Sequence, residues 1–349
     1  MMRMSKGTFA PAGGVTADPG LERWLGIVRL VDEAQVIAIS GHTNPDGDAL
    51  GSALGLGLSI RETCPGKQIV FLLADDAPVP RIYRFLPCAD EFVPASEYAG
   101  TPDLFIAVDA PTLERLENAA AVALRAPERA VIDHHPAAAE YTDAVVRDPE
   151  AAAAAVLVSD LLTRIGVTIS PAVATCLFCG LVTDTGRFQY QSANPEAFAC
   201  AALLVDAGAD PAHIALEVYQ SQRIEFLRLE ALVVGRIRTA AQGRVAYSYA
   251  TNADLQRYDV DFDECDGLID LVRQVAGVEV CLFAREGRAS GVVRGNLRSK
   301  YGHDVSKVAA RFNGGGHLAA AGFSFHGSVD EALSAVVPEL VALVDEDPR

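Results

Sequence analysis

The chain has 349 residues, half of them hydrophobic, with a formal net charge of −17 and a sequence pI of about 4.8. That length allows two domains with cores of their own, and the lack of any overall basic excess excludes a protein built to neutralise the many phosphates of a long duplex. Seven cysteines, an odd number placed mostly inside apolar stretches with no secretory segment before them, predict reduced thiols in a cytoplasmic protein, and no apolar run approaches the length of a membrane span.

In chain order, residues 1–20, rich in Ala, Gly, Pro and Thr, read as a mobile tail. Residues 35–40 read as a buried strand, 41–48 as a loop and 49–63 as a helix. Strands follow at 68–73, 103–108 and 130–132, with a helix at 114–125 between the last two. Short apolar strands alternating with helices predict an α/β fold with a mostly parallel, doubly wound sheet covered on both faces. Ligands of such a sheet lie beyond the carboxyl ends of its strands, and His42, Asp109 and His134 all fall there.

Helices are expected at 151–165, 171–182 and 194–207. The second begins with Ser170 at the N-cap and Pro171 in the first turn, the third with Asn194 and Pro195 in the same roles. A break at 208–211 opens a long helical stretch to about 235, read as the connection between domains. Beyond it the spacing predicts a strand at 245–250, a helix at 265–275 and an antiparallel hairpin of 278–284 with 290–297. A helix at 305–312, a glycine loop at 313–317, a strand at 321–325 and a closing helix at 329–344 complete a smaller α+β domain. The expected division is a tail over 1–20, a first domain over 21–207, a helical linker over 208–235 and a second domain over 236–349.

The chemistry concentrates in four acid and imidazole clusters: His42-x-x-x-Asp46-x-Asp48, Asp109, Asp133-His134-His135 and Asp184. Pro45 and Gly47 bend the first so that its three polar side chains can converge. Two aspartates two residues apart repel unless a cation sits between them. Taken alone, Asp48 reads equally as a helix N-cap and Asp109 as the cap of the next helix. Two adjacent imidazoles behind an aspartate at a strand end are harder for a core to satisfy. The donors are carboxylate and imidazole with no thiolate, which suits Mn²⁺, Mg²⁺ or Fe²⁺ better than structural zinc. Cys176-x-x-Cys179 has zinc-like spacing but no second pair, and reads as two thiols on a buried helix face.

His42-Thr-Asn-Pro45-Asp46-Gly47-Asp48-Ala-Leu-Gly51-Ser52, Val108-Asp109, Asp133-His134-His135-Pro136 and Thr183-Asp184-Thr185-Gly186 resemble, in order, the four motifs of the DHH phosphoesterases. Asn313-Gly314-Gly315-Gly316-His317-x-Ala-Ala-Ala-Gly322 is similar to the glycine-rich signature of their associated C-terminal domain. The resemblance implies that His42, Asp46 and Asp109 hold one metal and that Asp48, Asp109, His134 and Asp184 hold another, with Asp109 shared. It implies Mn²⁺ as the natural choice. It makes Asp133 the partner that orients an imidazole, and turns His135 toward the substrate phosphate. Length and layout are most similar to members that combine oligoribonuclease with pAp phosphatase activity. The segment from Arg298 to Asp304 is longer than the usual Arg-Ser segment of the family.

Residues 285–311 carry Arg285, Arg288, Arg294, Arg298, Lys300, Lys307 and Arg311 against Glu286 and Asp304. Gly314, Gly315 and Gly316 would let backbone N–H groups approach an anion, with His317 adding a donor. The second domain is therefore expected to grip the far end of the substrate through Arg298 and the glycine loop, with Arg294 and Arg311 as further candidates. The expected reaction is in-line attack of a metal-activated water on phosphorus in short oligoribonucleotides and pAp, giving mononucleotides. The competing enzymatic expectations are a cyclic or linear dinucleotide phosphodiesterase acting on c-di-AMP or pApA, and a hydrolase of pyrophosphate or short polyphosphate. A non-catalytic nucleotide-binding module would need a lost ligand, and none is missing. No membrane partner is expected, and a homodimer is an expectation from the family alone.

Overall fold

A computed structural model describes residues 8–9, 19–136, 141–142 and 144–346. They form two compact units, Met1–Ser221 and Gln222–Arg349.

The first unit is built from α1 (Pro19–Glu22), α2 (Leu25–Glu33), β1 (Val36–Ser40), α3 (Gly47–Thr63), β2 (Gln68–Leu73), β3 (Val93–Pro94), β4 (Leu104–Val108), α4 (Asn118–Arg125), β5 (Glu128–Asp133), β6 (Ala144–Arg147), α5 (Ala154–Arg164), α6 (Pro171–Asp184), α7 (Pro195–Asp206) and α8 (Pro211–Tyr219). Its six strands run in the order β3-β2-β1-β4-β5-β6, all parallel. The order reverses between β1 and β4, the switch point at which such sheets bind ligands. The central strands are apolar on both faces because both are covered. Ile37, Ile39, Leu104 and Ile106 face a core shared with α2, α3, α5 and α6, whereas Ala38, Phe105, Ala107 and Val131 face α4.

Helices α3 and α6 lie unusually close. Gly47, Gly51 and Gly55 form a stripe at four-residue spacing on α3. A Cβ at Gly51 would stand 2.3 Å from the carbonyl oxygen of Cys176, and one at Gly55 2.6 Å from the Leu177 side chain. Cys176 and Cys179 are both fully buried in this contact, and all seven cysteines are free thiols.

The second unit comprises α9 (Ile224–Gly235), β7 (Arg238–Ala240), β8 (Val245–Ala250), α10 (Asn252–Tyr258), α11 (Ile269–Arg273), β9 (Val280–Glu286), β10 (Val292–Ser299), α12 (Val305–Ala310), β11 (Gly315–Gly316), β12 (Ala320–His326) and α13 (Val329–Glu346). Its sheet runs β11-β12-β10-β9-β8-β7 and is antiparallel except for the β8–β9 pair. One face packs on α12 and α13 through Leu282, Val293, Leu297 and Phe323. The other packs on α9, α10 and α11 through Ala246, Cys281 and Phe283.

Several expectations need correction. The long helical stretch expected from the 208–211 break to about 235 is two helices. Ile214 and Val218 of α8 join the first core, whereas Phe226, Leu229 and Val233 of α9 join a core of the second unit, so the segment is not a free linker. The helix expected at 114–125 is a 3-10 turn, Leu113–Leu116, followed by α4, because Glu117 takes φ +42° between them. The helix expected at 265–275 likewise opens as a 3-10 turn, Phe262–Leu268, ahead of α11. Most of the tail expected over 1–20 lies outside the described residues, but Phe9 is fully buried and its N–H donates to Asp32 at 2.6 Å, which ties that point of the tail to α2. The short strands β3, β6, β7 and β11, two to four residues each, had no periodicity long enough to read. No single helix among the described residues is long and apolar enough to cross a membrane.

Candidate metal centre

The carboxyl ends of β1, β4 and β5 deliver the polar residues. His42 follows β1, and Asp46 caps α3 by accepting the N–H groups of Asp48 and Ala49 at 2.9 and 3.1 Å. The N-cap is thus Asp46, and Asp48 sits within the first turn, fully buried. Asp109 follows β4 with φ +54°, a left-handed conformation that aspartate tolerates better than most residues. Asp133 ends β5, His134 and His135 follow it, and Asp184 is the last residue of α6.

These residues converge in two groups joined by one side chain. Nε2 of His42 lies 3.8 Å from Asp46 Oδ1 and 3.4 Å from Asp109 Oδ2. Nε2 of His134 lies 3.3 Å from Asp109 Oδ1, 3.4 Å from Asp184 Oδ2 and 3.9 Å from Asp48 Oδ2. The two oxygens of Asp109 therefore face different imidazoles. Tautomers follow from the opposite ring nitrogens. Nδ1 of His42 is 2.8 Å from the Thr43 carbonyl and Nδ1 of His134 is 3.2 Å from the Ala151 carbonyl. A carbonyl only accepts, so both Nδ1 atoms carry the proton. Both Nε2 atoms then face carboxylates, to which each would offer a lone pair for a shared cation or, without one, a second proton.

Such an arrangement demands positive charge. Asp109 Oδ1 is buried, and only imidazole nitrogens stand near it, His134 Nε2 at 3.3 Å and His135 Nδ1 at 3.4 Å. None of Asp46, Asp48, Asp109 and Asp184 pairs with a Lys or Arg among the described residues. Without a metal, protons supply part of the charge. Burial opposes protonation of His42, but its hydrogen bond to Asp109 and the charges of Asp46 and Asp109 carry it to about 9. His134 is likewise pushed well above the ordinary imidazole range against its burial, chiefly by Asp184 and Asp109. Burial and then the charges of Asp109 and Asp184 raise Asp48 well above the carboxylate range. Burial, with Asp46 and Asp109, raises Asp184 to about 6. Asp109 goes the other way: despite burial, hydrogen bonds from His134 and His42 hold it well below the usual carboxylate range. Divalent cations would replace those protons, and this His/Asp set, buried except for the partly exposed Asp46 and Asp184, fits such ions by donor type and charge.

Asp48 has a second role that its sequence position does not reveal. Its Oδ2 accepts the N–H of Ala154 at 2.6 Å, and its Oδ1 accepts the N–H of Ala155 and the hydroxyl of Ser52, each at 2.9 Å. The N-cap residue of α5, Ala153, offers no side-chain acceptor, so Asp48 caps that helix from outside.

The Asp133 carboxylate is fully buried. Its Oδ1 is 3.0 Å from Nδ1 of His135, and its Oδ2 pairs with Arg147. Arg147 also donates to the His135 carbonyl oxygen at 3.1 Å. Asp133 and Arg147 are register partners of β5 and β6, a pairing that no sequence pattern in the four-residue β6 reveals. His135 is pushed below the ordinary imidazole range by burial, so its neutral ring donates from Nδ1 to Asp133.

The basic residues of the second unit do not form one patch. Arg294, Asn296 and Arg298 alternate with the buried Val293, Gly295 and Leu297 along β10, so they share the sheet face opposite α12 and α13. Arg294 donates to Ser324 at 2.8 Å, and Arg298 donates to the Leu297 carbonyl at 3.0 Å. Arg311 stands apart, after α12, where it pairs with Glu339 of α13. Arg285 lies 3.7 Å from the Phe262 ring centroid, Lys300 donates to the Val275 carbonyl, and Lys307 pairs with Asp304 at 3.6 Å. In the glycine loop, Gly314 N–H already donates to the Ala309 carbonyl at 3.0 Å, and the His317 N–H to that of Ala320 at 2.7 Å. Gly315 and Gly316 pair with Gly322 and Ala321 as β11. A Cβ at Gly314 would lie 2.1 Å from the Gly322 carbonyl oxygen, so close strand packing alone requires that glycine.

Residues 36–181 match the DHH family, N-terminal domain, and residues 242–346 match the DHHA1 domain. The chain is 30% identical over 302 residues to a bifunctional oligoribonuclease and PAP phosphatase, NrnA, of Thermus thermophilus, covering 86% of this chain and 88% of the relative. It is 27% identical over 326 residues to the Bacillus subtilis protein of the same name, covering 92% and 98%. Among solved structures, an exopolyphosphatase-related protein from Bacteroides fragilis superposes with a TM-score of 0.83 at 25% identity, covering 96% of this chain and 98% of that one.

Proposed function

The chain belongs to the DHH family, its DHH domain followed by a DHHA1 domain, and from that premise we propose that it is a two-metal phosphoesterase that hydrolyses short oligoribonucleotides and pAp to mononucleotides. The carrying observation is the shared side chain, Asp109, whose two oxygens face His42 and His134 separately. His42, Asp46 and Asp109 would hold one divalent cation, and Asp48, Asp109, His134 and Asp184 the other, with Mn²⁺ the proposed ion. Such ions, when bound, lower the pKa of water and offset charge on phosphoryl oxygens.

The protein's own groups do the rest. Asp133 and Arg147 fix the His135 ring with Nδ1–H committed to Asp133, and Nε2, protonated when an anionic phosphate lies against it, would donate to a phosphoryl oxygen. Asp109, held ionised by two imidazoles, keeps the centre anionic at working pH. In the second unit, Arg298 and Arg294, on one sheet face, together with the glycine loop and His317, supply a grip on the sugar and base portion of the substrate. Arg311 is the weaker member of that proposal, since Glu339 already neutralises it. The acidic surface and local cations suit short anionic substrates in the cytoplasm, not long duplexes.

The test is a panel: Mn²⁺-loaded protein against pAp, pApA, c-di-AMP, a five-residue RNA and pyrophosphate. The proposal expects turnover of the RNA and pAp above the others. A strong preference for c-di-AMP would move the reading to a cyclic dinucleotide phosphodiesterase, and a preference for pyrophosphate would overturn it.

A further inference from the structure

Three consecutive residues just past the last candidate ligand, Gly186, Arg187 and Phe188, have φ of +54°, +62° and +59°. Two of them carry side chains in a conformation that L residues rarely adopt, and such strain persists only where the surroundings enforce it. The enforcement is visible. The Arg187 N–H donates to the Val182 carbonyl at 2.8 Å, the Phe188 N–H to the Thr185 hydroxyl at 3.2 Å, and the Gln189 N–H to the Thr185 carbonyl at 3.0 Å. Phe188 is anchored by stacking on Phe198, with centroids 5.1 Å apart, and by an edge contact to Phe178.

The consequence of this turn is the placement of Arg187. Its guanidinium lies 4.9 Å from the centroid of the Tyr219 ring, and the Tyr219 hydroxyl donates to the Val182 carbonyl at 3.3 Å. Both residues are thereby fixed to the end of α6 that carries Asp184. Arg187 is exposed and makes no ion pair among the described residues. An exposed cation with no ion pair among the described residues, held in place three residues past Asp184 in a chain of charge −17, is a candidate to meet an anion from outside. It does not pair with Asp46, Asp48, Asp109 or Asp184, so it does not serve the reacting phosphorus through them.

We propose that Arg187 is a substrate-binding residue of the first unit that grips a phosphate neighbouring the one being cleaved. The guanidinium offers a planar fork to phosphoryl oxygens, and the Tyr219 ring orients it without consuming its hydrogen-bond donors. The inference rests on the phosphoesterase reading above and deepens it: the favoured substrates carry at least two phosphates, as pAp and pApA do.

The experiment compares wild type with Arg187→Ala, Arg187→Lys and Arg187→Asn, the last chosen because asparagine tolerates positive φ. Calorimetric titration of pAp with Ca²⁺ in place of Mn²⁺ reads binding. Turnover of pAp, pApA and bis(p-nitrophenyl) phosphate, which has a single phosphate, reads the KM and kcat split, and elemental analysis reads metal content. The expected result is pAp binding weakened about tenfold in the Ala and Asn variants, KM for pAp and pApA raised by the same factor, and partial recovery in the Lys variant. Metal content and turnover of bis(p-nitrophenyl) phosphate stay at wild-type level. Unchanged pAp binding in the folded Asn variant, or equal losses on the one-phosphate and two-phosphate substrates, overturns the inference. If wild type turns over no phosphoester, the phosphoesterase reading falls, and the titration alone still decides whether Arg187 binds a phosphate.

Discussion

Asp48 Oδ2 accepts the backbone N–H of Ala154 at 2.6 Å, so a candidate metal ligand on α3 is also the cap of α5. One carboxylate thus links the chemistry of the centre to the packing of the fold. Replacing Asp48 with Ala should lower the thermal midpoint of the metal-stripped protein as well as its metal content. The helix cap is worth about 1 kcal/mol. Each N–H left buried without an acceptor costs roughly 1–3 kcal/mol more, which outweighs the relief of repulsion among the carboxylates. An unchanged midpoint would show that the cap carries no weight.

The shared role of Asp109 predicts an all-or-none effect. Asp109→Ala should remove metal loading and activity together, because each ion loses a ligand. Metal content measured after dialysis against Mn²⁺ is the decisive readout. Full Mn²⁺-dependent turnover by this variant would sink the two-metal assignment.

Adjacent histidines should separate cleanly. His134→Ala is expected to lose metal, since Nε2 faces three carboxylates. His135→Ala is expected to keep its metals and lose rate by about 10²-fold or more, as removal of a single transition-state hydrogen-bond donor does elsewhere. Metal content and kcat, measured side by side on both variants, check the division.

The metal-free protein should lose stability as pH rises. His42 has a folded pKa of about 9 against 6.5 for an ordinary imidazole. A raised pKa gives stability that is complete below 6.5 and is lost as pH climbs through about 9. Asp184, raised to about 6 from 3.8, acts in the same direction over a lower window. Denaturation midpoints of the stripped protein should therefore fall from pH 6 to pH 9, and saturating Mn²⁺ should flatten the slope by replacing the protons. A stripped protein whose midpoint rises over that interval would contradict the arrangement of charges.

Gly51→Ala should damage the centre from a distance. The added methyl would meet the Cys176 carbonyl at 2.3 Å, and backbone on both sides leaves no flexible group to yield. Overpacking of this kind typically costs about 1–3 kcal/mol. Because α3 carries Asp48 and α6 carries Asp184, parting the helices should also weaken the metal position those residues share. Retained affinity at both positions would argue that the helices can move without moving their ligands.

Much of this was legible in the sequence because the relevant signals are local. His42, Asp109 and His134 each follow an apolar run long enough to read as a strand, and the fold brings such ends together. Arg147 was not legible, since its strand of four residues has no usable pattern and its meaning comes from lying opposite Asp133 in a neighbouring strand. The capping role of Asp48 was hidden for a related reason: its acceptor function serves a helix more than a hundred positions later. The glycine loop misled in part, because glycine is required both where an anion approaches and where a backbone does, and at Gly314 the backbone of β12 is already there. The break between the helices of 208–235 carries no such signal, because residues 220–223, Gln-Ser-Gln-Arg, hold no glycine or proline, although the chain extends there at Arg223 with ψ 147°.

That interruption matters for how the molecule is assembled. Every metal ligand proposed above precedes Ser221, and each of the flanking helices is rooted in its own core. The joint is therefore a natural seam: a different second unit grafted at Gln222 would inherit an intact reactive centre and bring its own choice of what to present to it. Chimaeras cut at that seam, not within either helix, are the ones expected to fold.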